Sequence, residues 1–224
     1  IDQLLPTFVW QMMVAGLIGA FFAWIVNEAI DNNYSFYSSV KEIVFRMALW
    51  GSLISGIIGF SFGSVESLLN RQYSQAIKKG FAWMVGAAIG GFIGGGSGQI
   101  IYTLLRGGGS VSFFRQVIAR TIGWTFLGAG IGVANGLMAG SKKRIMNGLI
   151  GGVAGGAAGG LVFDFISIPW PTGDGSLARL VGFMALGGGI GALIGLVEHI
   201  RKEVWFSVIS GPMKGKEFRS EERR

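Results

Sequence analysis

Gly151-Gly152-Val153-Ala154-Gly155-Gly156-Ala157-Ala158-Gly159-Gly160 lies inside a run without charge that extends from Ile145 to Phe163. Glycine pairs recur in it every four residues. In water such a segment makes a poor helix, because each interior glycine costs about 1 kcal/mol relative to alanine. In lipid the balance changes. Backbone groups find no partner among acyl chains, so a lone segment must close its own hydrogen bonds, and the helix does this. Glycines four apart then form a flat stripe on which a neighbouring helix can rest, main chain against main chain. Stripes of this kind recur along the sequence and predict helices packed through their backbones.

Composition supports a membrane setting. The 224 residues include 40 glycines, no cysteine and only 14% charged side chains, with a mean hydropathy of +0.54. No Gly-X-Y period is present, which excludes collagen, and half the residues are hydrophobic, which excludes a flexible low-complexity chain. Without cysteine there is no disulfide framework and no thiol chemistry. The formal charge of +7 invites a nucleic-acid reading. Its distribution excludes one, since Lys and Arg sit in short connections between apolar runs and at the C-terminal end.

Six segments are long enough to cross about 30 Å of hydrocarbon at about 1.5 Å per residue. They are Leu5–Asn27, Met47–Val65, Phe81–Leu105, Thr121–Ser141, Ile145–Phe163 and Leu180–Val197. The first has no basic residues ahead of it and is too long for a signal peptide, so it reads as a true span. Polar or turn-prone connections separate the segments: Asp31 to Tyr37, Asn70 to Ser74, Gly107 to Ser110, Ser141 to Arg144 and Pro169 to Gly175. Arg71, Lys78, Lys79, Lys142, Lys143, Arg144, Arg201 and Lys202 gather on one side in compact turns. The positive-inside rule then places both termini in the cytoplasm, and the expected location is a bacterial-type plasma membrane.

Internal repetition organises the rest. Gly90-Gly91 and Gly94-Gly95 align with Gly155-Gly156 and Gly159-Gly160, and Gly16 and Gly19 fit the same frame. Even-numbered segments form a second type. Arg46, Arg120 and Arg179 open them, and Gly128, Gly132 and Gly136 match Gly187, Gly191 and Gly195, with Ser55, Gly59 and Gly63 in similar register. The expected packing stripes are Gly86, Gly90, Gly94 and Gly98; Gly128, Gly132 and Gly136; Gly151, Gly155 and Gly159; and Gly187, Gly191 and Gly195. The expected fold is therefore an all-α integral membrane domain over residues 1–203. Its six transmembrane helices form three pseudo-threefold glycine-zipper hairpins, about 5–65, 81–141 and 145–197, followed by a short β-type segment at 204–224.

Polar residues recur with the same period. Glu28, Gln99 and Asp164 lie about twenty residues from the start of the odd segments, about 30 Å along the helix axis, at the level where Arg46, Arg120 and Arg179 begin the even ones. Two readings fit. Either these are interfacial helix ends with snorkelling arginines, or they form an outer ring of carboxylate–guanidinium pairs that staples the hairpins or lines a vestibule. Glu66, Asn135 and Glu198 mark the opposite, inner boundary. No carboxylate lies deep in a span, where proton relays and ion sites need one. Ser52, Ser55, Ser61, Ser64, Ser97 and Thr125 could line a pore, although small hydroxyls in spans mostly bond their own helix. Trp10, Trp24, Trp50 and Trp124 read as lipid-facing or interfacial anchors.

Catalytic chemistry has no support. There is no Ser/His/Asp set, no paired catalytic carboxylates and no ligand cluster, and the single histidine, His199, makes no metal site. No cofactor is expected either. Gly128-Ala129-Gly130-Ile131-Gly132 follows no strand and is followed by no ribose-binding acid, which excludes a dinucleotide fingerprint. The same run resembles the glycine-rich helix of ATP synthase rotor rings. That family carries a carboxylate near mid-helix, and no carboxylate here has that position.

After Arg201-Lys202-Glu203 the texture changes. Val204 to Ser210 is rich in β-branched and aromatic residues, and Gly211-Pro212-Met213-Lys214-Gly215-Lys216 is turn-like. Ser210 to Phe218 resembles the opening hairpin of forkhead-associated (FHA) domains, β-sandwiches that bind phosphothreonine peptides. In that family the phosphate-binding Arg, Ser and Asn lie further along than Arg224, so no residue here takes their roles. The resemblance implies a cytosolic, phosphopeptide-reading module. The expected function is a membrane-anchored signalling or scaffold subunit, not an enzyme. Its partners are the lipid bilayer, other membrane proteins or further copies of itself, and phosphothreonine peptides. The alternative is a channel or transporter with its pore along the threefold axis or between protomers.

Overall fold

The structure is a computed structural model; it describes residues 7–30, 39–106, 112–138, 140–167, 176–200, 204–207 and 217–220. Six helices make up its body: α1 (Thr7–Ile30), α2 (Val40–Leu69), α3 (Tyr73–Arg106), α4 (Phe113–Met138), α5 (Lys142–Ser167) and α6 (Ser176–Ile200). All six are long and apolar enough to cross a membrane, and they mark an integral membrane protein. After α6 come two short strands, β1 (Val204–Ser207) and β2 (Glu217–Ser220), paired antiparallel with Phe206 opposite Phe218.

The helices outrun the apolar segments that nucleate them. α2 has 30 residues and α3 has 34, or about 45 and 51 Å of axis. Lys41, Lys78, Lys79, Arg115 and the Lys142-Lys143-Arg144 triplet, expected in connections, therefore belong to helix ends. The physical reason is propagation. Once a span is helical, each added residue gains a backbone bond, and nothing in these polar flanks breaks the helix.

Two connections lie among the described residues. At Asn70-Arg71-Gln72 the main chain reverses with Arg71 in the left-handed region, and the Gln72 N–H donates to the Ser67 carbonyl at 2.8 Å. Gly140 takes φ 65° after α4, and its N–H donates to the Leu137 carbonyl at 2.9 Å. Both turns lie at one end of the bundle, called here the turn end; the starts of α2, α4 and α6 define the arginine end. The connections around Asp31–Tyr37, Gly107–Ser110 and Pro169–Gly175 lie outside the described residues, as do 208–216 of the tail.

Each helix packs against the next in sequence, and α6 returns to α1, so the six close into a ring. The even helices also touch one another across the middle, α2 with α4 and α4 with α6, while an edge-on contact between the Trp50 and Phe183 rings joins α2 to α6. The closest associations are α2 with α3 and α4 with α5, and α1 packs more extensively on α6 than on α2. Packing thus cuts the chain differently from the hairpins expected at 5–65, 81–141 and 145–197: the tightest antiparallel pairs share the short turns at the turn end.

Glycine is what meets glycine at these contacts. On α4, Gly128 and Gly132 face Gly152 and Gly148 of α5, so close that a methyl group on any of them would overlap the opposing carbonyl. Gly187 of α6 meets Gly16 of α1, and Gly191 meets the Met12 carbonyl. Gly195 lies beside Val9, and Gly136 beside Arg144 and Ile145. On α3, Gly90, Gly94 and Gly98 face Gly130, Phe126 and Gly123 of α4, and Gly86 faces the Met138 side chain. Bulky residues go elsewhere. Ile54, Ile58, Ile131, Leu186, Ile190 and Ile194, all on even helices, are fully buried and fill the middle of the ring. Phe22, Phe45, Ile93, Phe114 and Phe165 stay exposed on the outside, as lipid contact requires.

Candidate functional site

A helix brings residues four apart to one face, one turn deeper. Arg46 and Trp50, Arg120 and Trp124, and Arg179 and Phe183 all have that spacing, each near the start of an even helix. Because the even helices adjoin at the middle, the three aromatic rings meet. Trp50 and Phe183 are 5.3 Å apart between ring centres, and Trp124 and Phe183 6.1 Å, both within ordinary aromatic contact. Trp124 also lies 5.4 Å from Phe163 of α5. These rings form a floor above the aliphatic middle.

Above the floor, at the arginine end, is a cavity of about 350 Å³. Trp50, Trp124, Phe163 and Phe183 supply its apolar wall, and Gln99, Tyr102, Arg120 and Arg179 its polar groups. Gly51, Gly95, Gly98 and Gly123 also line it, so part of the wall is bare main chain. A second cavity of about 560 Å³ opens at the turn end, where Gln11, Glu66, Asn70, Lys79 and Arg144 are among the lining. The buried aliphatic residues lie between the two.

The expected polar ring resolves into unlike parts. Glu28 of α1 and Arg179 of α6 form a two-pronged ion pair, with Nε to Oε1 at 2.6 Å and Nη2 to Oε2 at 3.0 Å, both side chains about three-quarters buried. Trp24 donates from Nε1 to the Ser176 carbonyl at 3.1 Å, a second tie between the same helices. The Arg120 guanidinium lies 4.8 Å above the centre of the Phe163 ring. Arg46 pairs along its own helix with Glu42 at 3.6 Å, at an exposed position. Gln99 donates to Thr103 Oγ1 at 3.2 Å, also along its own helix. The side chain of Asp164 lies outside the described residues, and so do those of Asn135 and Glu198 at the other boundary. Glu66 is exposed at the turn-end cavity.

The tryptophans correct the sequence expectation. Trp10 is exposed as an anchor should be, but Trp24, Trp50 and Trp124 pack against the core. Trp50 donates from Nε1 to Oδ1 of Asn27, a buried amide on α1 that sequence reasoning passed over. An indole N–H needs a partner when it leaves water, and Trp24 and Trp50 find theirs in the Ser176 carbonyl and Asn27. The signal that would have found the floor was in hand: an aromatic four residues after arginine, three times over. Tyr102 and Phe163 had no such marker beyond ordinary span composition. Ser97 and Thr125 bond carbonyls of their own helices, both at 2.7 Å, while Ser64 crosses from α2 to the Ala76 carbonyl of α3 at 3.0 Å.

Among the described residues no group of three or more His, Cys, Asp or Glu side chains could hold a metal ion. No family model, curated protein or solved structure matches the chain.

Proposed function

We propose that this chain is a membrane-anchored signalling or scaffold subunit. Its helical ring holds a cytosolic phosphopeptide-reading, FHA-like module at the membrane and packs with other membrane proteins or further copies of itself. The observation that carries this reading is the filled middle. Ile54, Ile58, Ile131, Leu186, Ile190 and Ile194 are buried to within 2% of complete, between the cavities at the two ends. A conducting path needs a continuous wet or wettable lining. A rigid, dry bundle suits an anchor, and its exposed aromatic and aliphatic exterior offers area to lipid or to another span.

The same reading treats the ring as three glycine-zipper repeats about an axis along the membrane normal, with both termini in the cytoplasm. Three equivalent contacts support it. Gly51, Ser55 and Gly59 of α2 face α3, Gly128 and Gly132 of α4 face α5, and Gly187 and Gly191 of α6 face α1. The channel alternative draws on the two end cavities and requires the aliphatic residues between them to part. Purified full-length protein in liposomes decides between the two readings. Potassium and small-solute flux is expected to equal that of protein-free vesicles, and flux that changes with Ile131→Ala would replace the anchor with a channel. Binding of the full-length chain to phosphothreonine peptides, with no binding to their unphosphorylated forms, tests the module.

A further inference from the structure

We propose that the cavity at the arginine end binds an uncharged, flat aromatic molecule that carries one hydrogen-bond donor. Its volume of about 350 Å³ lies at the lower end of the range for small-molecule sites, which are mostly apolar with a few convergent polar groups. The floor of Trp50, Trp124 and Phe183 presents ring faces and edges, the surfaces on which a planar apolar body packs. Beside the floor, Gly51, Gly95, Gly98 and Gly123 leave bare main chain on α2, α3 and α4, where no side chain stands in the way of a ring.

Among the described lining residues no charge is without a partner. Arg179 is neutralised by its two-pronged pair with Glu28, and Arg120, which lies over the Phe163 ring, is engaged as well, as is Tyr102. A charged group entering among the aromatic rings would lose water without gaining a free countercharge, a loss that an uncharged ligand avoids. Gln99 is the polar lining residue with capacity to spare. Thr103 gives its own hydroxyl proton to the Gln99 main-chain carbonyl at 2.8 Å, so the 3.2 Å contact between the two side chains is made by the Gln99 amide N–H. The amide oxygen accepts from no described residue. An acceptor of this kind in a mostly apolar lining favours a ligand with an O–H or N–H over one of the same shape that lacks it. This inference does not depend on the scaffold reading, since a filled bundle can carry a ligand at one end.

The experiment uses full-length protein in phosphatidylcholine nanodiscs with 2-naphthol, uncharged at neutral pH, as the probe. Equilibrium binding of the radiolabelled probe is corrected for partition into empty nanodiscs, and quenching of tryptophan emission follows the same titration. Saturable binding is expected, about threefold or more tighter than that of 2-methoxynaphthalene, which has the same rings and no donor. Naphthalene-2-carboxylate is expected to bind more weakly still, about tenfold or more below 2-naphthol. Gln99→Leu is expected to weaken 2-naphthol about threefold or more and to leave 2-methoxynaphthalene unchanged, in protein that keeps its helical content and elutes as a single species. If Gln99→Leu does not fold, the comparison of the three probes on the unaltered protein decides. Absence of saturable 2-naphthol binding overturns the proposal, as does equal binding of 2-naphthol and 2-methoxynaphthalene. So does carboxylate binding as tight as that of the naphthol. In a folded Gln99→Leu protein, an unchanged 2-naphthol affinity, or an equal loss for both uncharged probes, overturns it too.

Discussion

Helix α5 offers two glycine stripes to two neighbours, and they pack differently. Toward α4, Gly148, Gly152 and Gly156 meet Gly132, Gly128 and the Trp124 carbonyl, bare main chain on bare main chain. Toward α6, Gly151, Gly155 and Gly159 face the main chain and the side-chain roots of Ile194, Ile190 and Leu186, the same large residues that fill the middle of the ring. Successive residues on a helix point about 100° apart. A Gly-Gly pair therefore hands one glycine to each neighbour, and the doublets are not redundant. One stripe sets how closely two backbones approach. The other seats the main chain of α6 at the positions that carry large side chains. α3 divides its glycines in the same manner, Gly91 and Gly95 toward α2 and Gly90 and Gly94 toward α4.

The difference predicts unequal costs for one added methyl group. Gly152→Ala has the largest effect. The new methyl overlaps the Gly128 carbonyl, a main-chain group that cannot rotate aside, so the α4–α5 contact must open along its length. Overpacking typically costs 1–3 kcal/mol, and this case belongs at or above about 3 kcal/mol. Titration with dodecyl sulfate, followed by far-UV circular dichroism, is the measurement. On the other stripe, Gly159→Ala places its methyl 3.0 Å from the Cα and Cβ of Leu186, a few tenths of an ångström too close. The expected cost is about 1 kcal/mol. Equal losses for the two variants would erase the distinction between the stripes.

Much of this was legible in the sequence. The six spans follow from charge-free runs. The stripes follow from glycine at every fourth position, because that spacing fixes a face whatever the neighbour is. Partner choice was harder to read. Gly151 and Gly152 look alike in a sequence, and only the closed ring shows that one belongs to α6 and the other to α4. The polar boundary was half legible. Repetition found Glu28 and Arg179, yet pairing required α6 to return beside α1, a contact about 150 residues apart in the chain. Composition misplaced Trp24, Trp50 and Trp124, since a tryptophan near a span end suits the lipid interface as well as a bundle interior. Its burial is decided by a partner for its N–H, such as Asn27 or the Ser176 carbonyl, and no local pattern announces that partner. The cavity was invisible for a related reason. It exists where five helices leave space, and space has no residue of its own.

The smallest effect belongs to a glycine that the α5–α6 contact does not need. Gly189 of α6 looks across at Gly155, but a methyl there would stand 3.5 Å from the Gly155 Cα and 3.7 Å from its carbonyl oxygen, ordinary contact distances. Alanine is favoured over glycine inside a helix by about 1 kcal/mol in water-soluble hosts. Gly189→Ala is therefore expected to be neutral or to stabilise by up to about 0.5 kcal/mol, read on the same titration and with an unchanged gel-filtration profile. The result separates two accounts of the glycine-rich α6. If its glycines act through local contact, Gly189 is replaceable while Gly187 and Gly191, pressed on the backbone of α1, are not. A loss above about 1 kcal/mol at Gly189 would mean that α5 and α6 sit closer than these contact distances allow. The contact of glycine with larger residues at that interface would then give way to the glycine-on-glycine packing of α4 and α5.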